Sequence, residues 1–218
     1  MIKRAGVDME YCSEIIIDLY LFRHGKTLAN EEKRYLGRTD VSLSHDGRVM
    51  LHRAKVPADT IVFSGPMKRC LETSERMFPN TRPYIIDEWT EIDFGDFEMK
   101  TAAELGSNPD YQKWIDSGGT LDFPNGESLS QFRRRTLEGF RKCLSIIASQ
   151  AGGSGQRPVP GAAVLHGGNI MVIVSMLTGR DMYDFMLENG EGIRLSLSYR
   201  DGSYQLLTSK IISESIMV

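Results

Sequence analysis

Ile15-Ile16-Ile17-Asp18-Leu19-Tyr20-Leu21-Phe22 runs straight into Arg23-His24-Gly25, and Ala162-Ala163-Val164-Leu165 runs straight into His166-Gly167-Gly168. The first run is nearly continuous in apolar character and rich in β-branched and aromatic residues. That is the pattern of a strand buried on both faces of a parallel sheet. The second repeats the arrangement of strand, histidine and glycine. At such a junction the imidazole can project into a cleft, while the glycine permits a tight turn and a close backbone approach.

Outward from these two strands the chain alternates. Thr60-Ile61-Val62-Phe63 reads as a strand that ends in the turn Ser64-Gly65-Pro66, followed by helical spacing from Met67 to Met77. Tyr84-Ile85-Ile86 is a further strand, Ser130 to Ser149 a long helix, and Asn169 to Leu177 a helix behind His166. Ala151 to Pro158, rich in glycine, is a flexible loop without chemistry. Ile193 to Tyr199 and Ser203 to Thr208, parted by Asp201-Gly202, form a terminal hairpin. Strands separated by helices indicate an α/β fold, a three-layer αβα sandwich with a mostly parallel central sheet and helices on both faces. Ligands of such sheets collect at the carboxyl ends of the strands.

A chain of 218 residues with 41% hydrophobic and 25% charged content fits a single domain over 1–218 with a full core. The net charge of -3 gives no global attraction to nucleic acid or to an anionic membrane, so an anion needs a local pocket. Cys12, Cys70 and Cys143 are odd in number, far apart and without metal-ligand spacing; neither disulfides nor zinc are expected, and a reducing cytoplasm fits. Asp8, Glu10, Glu14 and Asp18 break up any signal-peptide core, and no later stretch approaches the roughly 20 apolar residues of a membrane span. His45 and His52 lack partner ligands and read as surface residues. Oligomeric state is not set by any of these features.

Phosphoryl transfer to a side chain needs an aligned nucleophile, fixed positive charge around the non-bridging oxygens, and an acid for the leaving group. Arg-His-Gly alone is a short tripeptide that a surface histidine beside a surface arginine would equally satisfy. The surrounding pattern is more specific. Arg23-His24-Gly25-Lys26-Thr27-Leu28-Ala29-Asn30 is followed by Gly37 to Gly47, by Ser64-Gly65-Pro66-Met67-Lys68-Arg69, by Glu91-Ile92-Asp93-Phe94-Gly95-Asp96-Phe97-Glu98, by Pro124-Asn125-Gly126-Glu127-Ser128 and by His166-Gly167-Gly168. In content and order these blocks resemble the histidine phosphatase, or phosphoglycerate mutase-like, superfamily over roughly Leu19 to Ile173.

The resemblance implies a phosphoglycerate mutase-like fold with His24 as nucleophile and His166 as the second active-site histidine. It implies Glu91 as proton donor, and Arg23 and Arg69 as bidentate holders of the phosphoryl oxygens. Asn30 matches a phosphate-donating asparagine, though an asparagine early in a helix is equally a cap; Thr27 is a weaker case of the same kind, and Gly167 completes the expected phosphate site. Asp87, Glu88, Asp93, Asp96 and Glu98 compete with Glu91 for the acid's role, and most of them read as a solvated face. The family role of Glu127 and Ser128 does not follow from the sequence. A cap is expected around 99–125, with Tyr111, Trp114 and Phe123 as either cap or ordinary core. Lys26, Cys70 and Met99 stand where the family more often has Glu, Ala and Gly. No metal or other cofactor is implied, because two arginines and the histidines supply the positive charge.

Phe94-Gly95-Asp96-Phe97-Glu98 resembles the Phe-Gly-x-Trp-Glu block of family phosphatases, and with the run around Asp40 it is similar to α-ribazole phosphatases. The expectation is therefore hydrolysis of a small-molecule phosphomonoester through phosphohistidine. A cofactor-dependent phosphoglycerate mutase is the alternative, disfavoured because such mutases usually carry Glu-Arg-His-Tyr-Gly where this chain has Glu91-Ile92-Asp93-Phe94-Gly95. A non-catalytic phospho-ligand binding protein is the third reading.

Overall fold

The computed structural model describes residues 14–151 and 157–212. Its strands are β1 Ile15–Arg23, β2 Ile61–Ser64, β3 Tyr84–Ile85, β4 Val159–Leu165, β5 Gly192–Arg200 and β6 Ser203–Ile212. They form one sheet in the order β3-β2-β4-β1-β5-β6. The first four strands pair in parallel, and β5 and β6 extend the sheet antiparallel beyond β1. The helices are α1 Leu28–Glu31, α2 His45–Val49, α3 Lys68–Met77, α4 Ala102–Leu105, α5 Pro109–Asp116, α6 Leu129–Ser149 and α7 Gly167–Thr178.

The alternation of side chains along a strand divides the core into two layers. Ile17, Leu19 and Leu21 of β1 pack with Phe140, Leu144 and Ile147 of α6 and with Ile170, Ile173 and Val174 of α7. Phe22, Val62, Ala162 and Val164 pack on the other side with Cys70 and Met77 of α3. Both sheet faces are thus covered, as the αβα expectation requires. Leu19 is fully buried, and truncating a leucine of this kind to alanine costs about 2–5 kcal/mol.

Local chemistry sets the element ends. Ser128 caps α6: its side chain accepts from the Gln131 amide and the Gln131 side chain returns to the Ser128 amide, a capping box. Buried Phe132, Thr136, Gly139, Cys143 and Ile147 then recur at helical spacing along the face that meets the sheet. Asp201 and Gly202 turn the terminal hairpin with φ of 49° and 82°, the left-handed pair that a two-residue hairpin turn prefers. β6 runs four residues beyond the expected Thr208, because at the sheet edge its polar Ser209 and Lys210 stay exposed while their backbone pairs with β5. Residues 152–156 of the glycine-rich loop lie outside the described residues, as do Cys12 and the acidic residues Asp8 and Glu10. Among the described residues no helix is long and apolar enough to cross a membrane.

Candidate active site

β1 and β4 are adjacent and parallel, with Arg23 level with Leu165. The residue after each strand is a histidine, so the register alone brings His24 and His166 side by side at the carboxyl end of the sheet. The His24 amide continues the ladder by donating to the Leu165 carbonyl at 3.0 Å. The ring centroids are 5.2 Å apart with planes at 68°, and both side chains are buried.

Their hydrogen bonds assign the protons. His24 Nδ1 lies 2.7 Å from the Gly25 carbonyl, which can only accept, so Nδ1 carries the hydrogen and Nε2 keeps a lone pair. His166 Nδ1 lies 3.3 Å from Arg69 Nε, which can only donate, so the hydrogen of His166 sits on Nε2. Burial, reinforced by the charges of Arg69 and Arg23, holds the pKa of His24 well below its ordinary value. Burial and Arg69 do the same for His166. Both rings are therefore neutral near pH 7. Cys70 Sγ packs 3.5 Å from His166 Nε2, and burial pushes its thiol far up, so it stays uncharged.

The two arginines are held by main-chain carbonyls. Arg69 Nη1 donates to Thr39 at 2.9 Å and Nη2 to Gly37 at 2.7 Å. Glu98 in turn grips this loop, accepting from the amides of Gly37 and Thr39, each at 2.9 Å to Oε1. Arg23 Nη1 donates to the Leu187 carbonyl at 2.5 Å, while its Nε is buried with no acceptor among the described residues. A buried donor of that kind, beside two neutral imidazoles, suits an incoming anion.

Glu91 is 8% exposed and Oε1 accepts from the Ile92 amide at 2.9 Å. Burial raises its pKa, against the pull of that amide and of Arg69, Arg23 and Arg135. Two features hold the segment. A Cβ on Gly168 would stand 2.7 Å from Glu91 Oε1, so α7 approaches this closely only because residue 168 lacks a side chain. Arg135 of α6 donates to the carbonyls of Glu88, Thr90 and Glu91 while pairing with both oxygens of Glu127, at 2.7 and 2.6 Å.

Thr27 and Asn30 form the capping box of α1. Asn30 Oδ1 accepts from the Thr27 amide and hydroxyl and from Asn189 Nδ2. The Asn30 amide NH2 has no protein acceptor among the described residues, so Asn30 serves as a cap and remains a free donor. The Thr27 hydroxyl is spent on the cap and is fully buried. Arg23, Asn30, Glu91 and Gly167 line a cavity of about 350 Å3; His24, His166 and Arg69 are not among its lining residues. Gly167 is the first residue of α7, where backbone amides lack intrahelical partners. The 99–125 stretch carries α4 and α5; its Tyr111 is buried in a cluster with Phe97 and Leu105, against which Trp114 and Phe123 pack, and both of these also line the cavity.

The acidic run corrects the reading of a solvated face. Glu98 holds the Gly37–Thr39 loop, Asp93 Oδ1 accepts from the Gly95 amide at 2.8 Å, and Glu88 pairs with Lys142. Only Asp87 and Asp96 are exposed. Charge in sequence does not reveal whether main-chain amides converge on a carboxylate. Arg135 and Asn189, which donates to the His24 carbonyl at 3.0 Å, also escape sequence reading: the first lies in an Arg133-Arg134-Arg135 run and the second in a turn, and neither carries a distinguishing pattern. Glu127 and Ser128 gain roles as the partner of Arg135 and the cap of α6.

The fold is an α/β sandwich with two histidines paired at the ends of adjacent parallel strands. Residues 19–210 match the family described as the histidine phosphatase superfamily (branch 1), and the chain belongs to it. It is 28% identical over 141 residues to "Probable phosphoglycerate mutase GpmB" of Proteus mirabilis, covering 60% of this chain and 65% of that protein. It is 26% identical over 176 residues to the protein of the same name from Klebsiella pneumoniae, covering 77% and 78%. In structure it is similar to the α-ribazole phosphatase of Shigella flexneri, with a TM-score of 0.72 at 23% identity over 91% of this chain and 97% of that one.

Proposed function

We propose that the protein is a phosphomonoesterase that works through a phosphohistidine on His24. The observation that carries this reading is the opposite hydrogen bonding of the paired rings: His24 Nδ1 faces the Gly25 carbonyl and His166 Nδ1 faces Arg69 Nε, which leaves a lone pair on His24 Nε2 and a hydrogen on His166 Nε2. The lone pair forms an N–P bond as the ester P–O bond breaks, and the proton of Glu91 goes to the departing oxygen. Arg23 and Arg69 neutralise the non-bridging oxygens, to which the Asn30 amide, the Gly167 amide and His166 Nε2 donate hydrogen bonds. Water then attacks phosphorus and gives its proton to Glu91. The N–P bond breaks, releasing inorganic phosphate and restoring neutral His24.

Within this class an α-ribazole phosphatase-type hydrolase is the finer reading, supported by the Phe94–Glu98 block and by the likeness in fold. The buried free thiols of Cys70 and Cys143 suit a reducing cytoplasm. A phosphoglycerate mutase is the second reading, favoured by the names of the curated relatives. Phosphate release from a panel of metabolite monoesters at pH 7 without added metal, run beside conversion of 3-phosphoglycerate to 2-phosphoglycerate, separates the two. Trapping a labelled phosphoenzyme, present in wild type and missing in His24→Ala, separates an enzyme from a binding protein; no phosphoenzyme and no phosphate release from any ester would end the proposal.

A further inference from the structure

The cavity of about 350 Å3 beside Arg23, Asn30 and Glu91 has the size of pockets that enclose most of a small ligand. Much of its wall is apolar: Phe94, Trp114, Leu121, Phe123 and Phe132 line it, with Met186 exposed at its rim. One further cation, Arg34, lies on the wall, and it is already committed. Its Nε donates to Glu32 at 2.5 Å, and Nη1 donates to the Met99 carbonyl at 2.7 Å and to Glu104 at 2.9 Å. Two carboxylates thus neutralise the guanidinium that a second anionic group would need. The Tyr35 hydroxyl is likewise paired with that of Tyr111 at 3.0 Å. Tyr183 also lines the cavity, but its neutral hydroxyl carries no charge to offset that of an anion. An anion loses its water for little return at this wall, whereas an apolar ring gains from leaving water.

Resting on the phosphatase reading above, we propose that the alcohol half of the substrate ends in a bulky, largely apolar ring system seated between the 99–125 segment and α7. The site then discriminates against esters whose remote end is a carboxylate or a second phosphate. The polar end of the cavity takes the phosphoryl group, and the aromatic wall selects what is attached to it.

The test compares kcat/KM for ethyl, 2-phenylethyl and 2-(1-naphthyl)ethyl phosphate, whose primary alcohols leave with similar ease, with that for 3-phosphoglycerate. From ethyl to naphthylethyl the value rises at least about tenfold, mainly through KM, and 3-phosphoglycerate falls below ethyl phosphate. Met186, exposed on the rim, gives a second readout: Met186→Arg lowers the naphthylethyl preference and raises turnover of 3-phosphoglycerate several-fold. A flat alkyl series, or a wild-type preference for 3-phosphoglycerate, overturns the proposal. The non-hydrolysable 2-(1-naphthyl)ethylphosphonate keeps the two readings apart. If no ester is turned over yet this phosphonate binds by calorimetry at least about tenfold tighter than ethylphosphonate, the apolar pocket stands and the phosphatase reading falls; equal binding removes the pocket.

Discussion

His24 and His166 meet edge to face with their ring centroids 5.2 Å apart, and Gly25 and Arg69 give them opposite tautomers. The pair is asymmetric in role because it is asymmetric in hydrogen bonding. His24→Ala is expected to abolish phosphoenzyme formation altogether. His166→Ala keeps the nucleophile and loses one donor to the transferring group, a loss of about 10²–10³ in kcat. Rapid-quench measurement of phosphoenzyme formation checks this. A His166→Ala variant as dead as His24→Ala, or phosphoenzyme in His24→Ala, contradicts the assignment.

Burial raises the pKa of Glu91, and burial with Arg69 lowers that of His24. The proposed chemistry needs Glu91 protonated and His24 neutral in the free enzyme. Activity should therefore fall on the acid side as His24 gains a proton, and on the alkaline side as Glu91 loses one. Glu91→Gln should remove the alkaline limb and slow alkyl esters far more than p-nitrophenyl phosphate, whose leaving group needs no proton. An unchanged alkaline limb in that variant would assign the acid elsewhere.

Glu98 does not touch the site, yet it holds the amides of Gly37 and Thr39 whose carbonyls hold Arg69. Glu98→Ala releases this loop, and a misplaced guanidinium costs about 10–100-fold in kcat/KM. Glu98→Gln keeps an oxygen at Oε1 able to accept from both amides and should restore most of the activity. Steady-state kinetics on the two variants decide it: equal losses would point to the charge of Glu98 rather than its grip on the loop.

What the sequence revealed follows from how local each signal is. β1 and β4 were legible because long apolar runs end in histidine and glycine, and Glu91 because it opens the block through Glu98. The closeness of His24 and His166 depends on a register between residues 142 positions apart, which no local pattern encodes. Arg133, Arg134 and Arg135 read alike. Successive residues point about 100° apart around a helix, so Arg135 reaches the carbonyls of Glu88, Thr90 and Glu91, while Arg133 reaches Met182.

Arg135 and Glu127 brace the segment that carries Glu91, with side chains 17% and 11% exposed. Removing Glu127 leaves a largely buried guanidinium facing three carbonyls and the Phe132 ring, without a counter-charge in contact. Glu127→Ala is therefore expected to lower stability by about 2–4 kcal/mol and to loosen Glu91, reducing kcat for alkyl esters more than for p-nitrophenyl phosphate. Arg135→Lys cannot reach three carbonyls and two carboxylate oxygens at once and should act similarly. Denaturant unfolding with parallel kinetics tests this; full stability in both variants would show the pair to be dispensable.

The same buried groups make stability depend on pH in opposing directions. His24 and His166 have depressed pKa values in the folded state, so the unfolded chain binds protons more readily below about pH 6.5. Their contribution is present above that pH and is lost as the pH falls toward their folded values. Glu91 has a raised pKa when folded; its contribution is present below the ordinary carboxylate range and is lost as the pH rises through the folded value. Between pH 7 and pH 5 two imidazoles act against one carboxyl, so the melting temperature should drop on acidification. Glu91→Gln removes the opposing contribution and should steepen the drop, while His166→Asn should make it shallower. A melting temperature that climbs toward pH 5 in the wild type, or a slope flattened by Glu91→Gln, would mean that these groups do not carry the protonation states assigned to them.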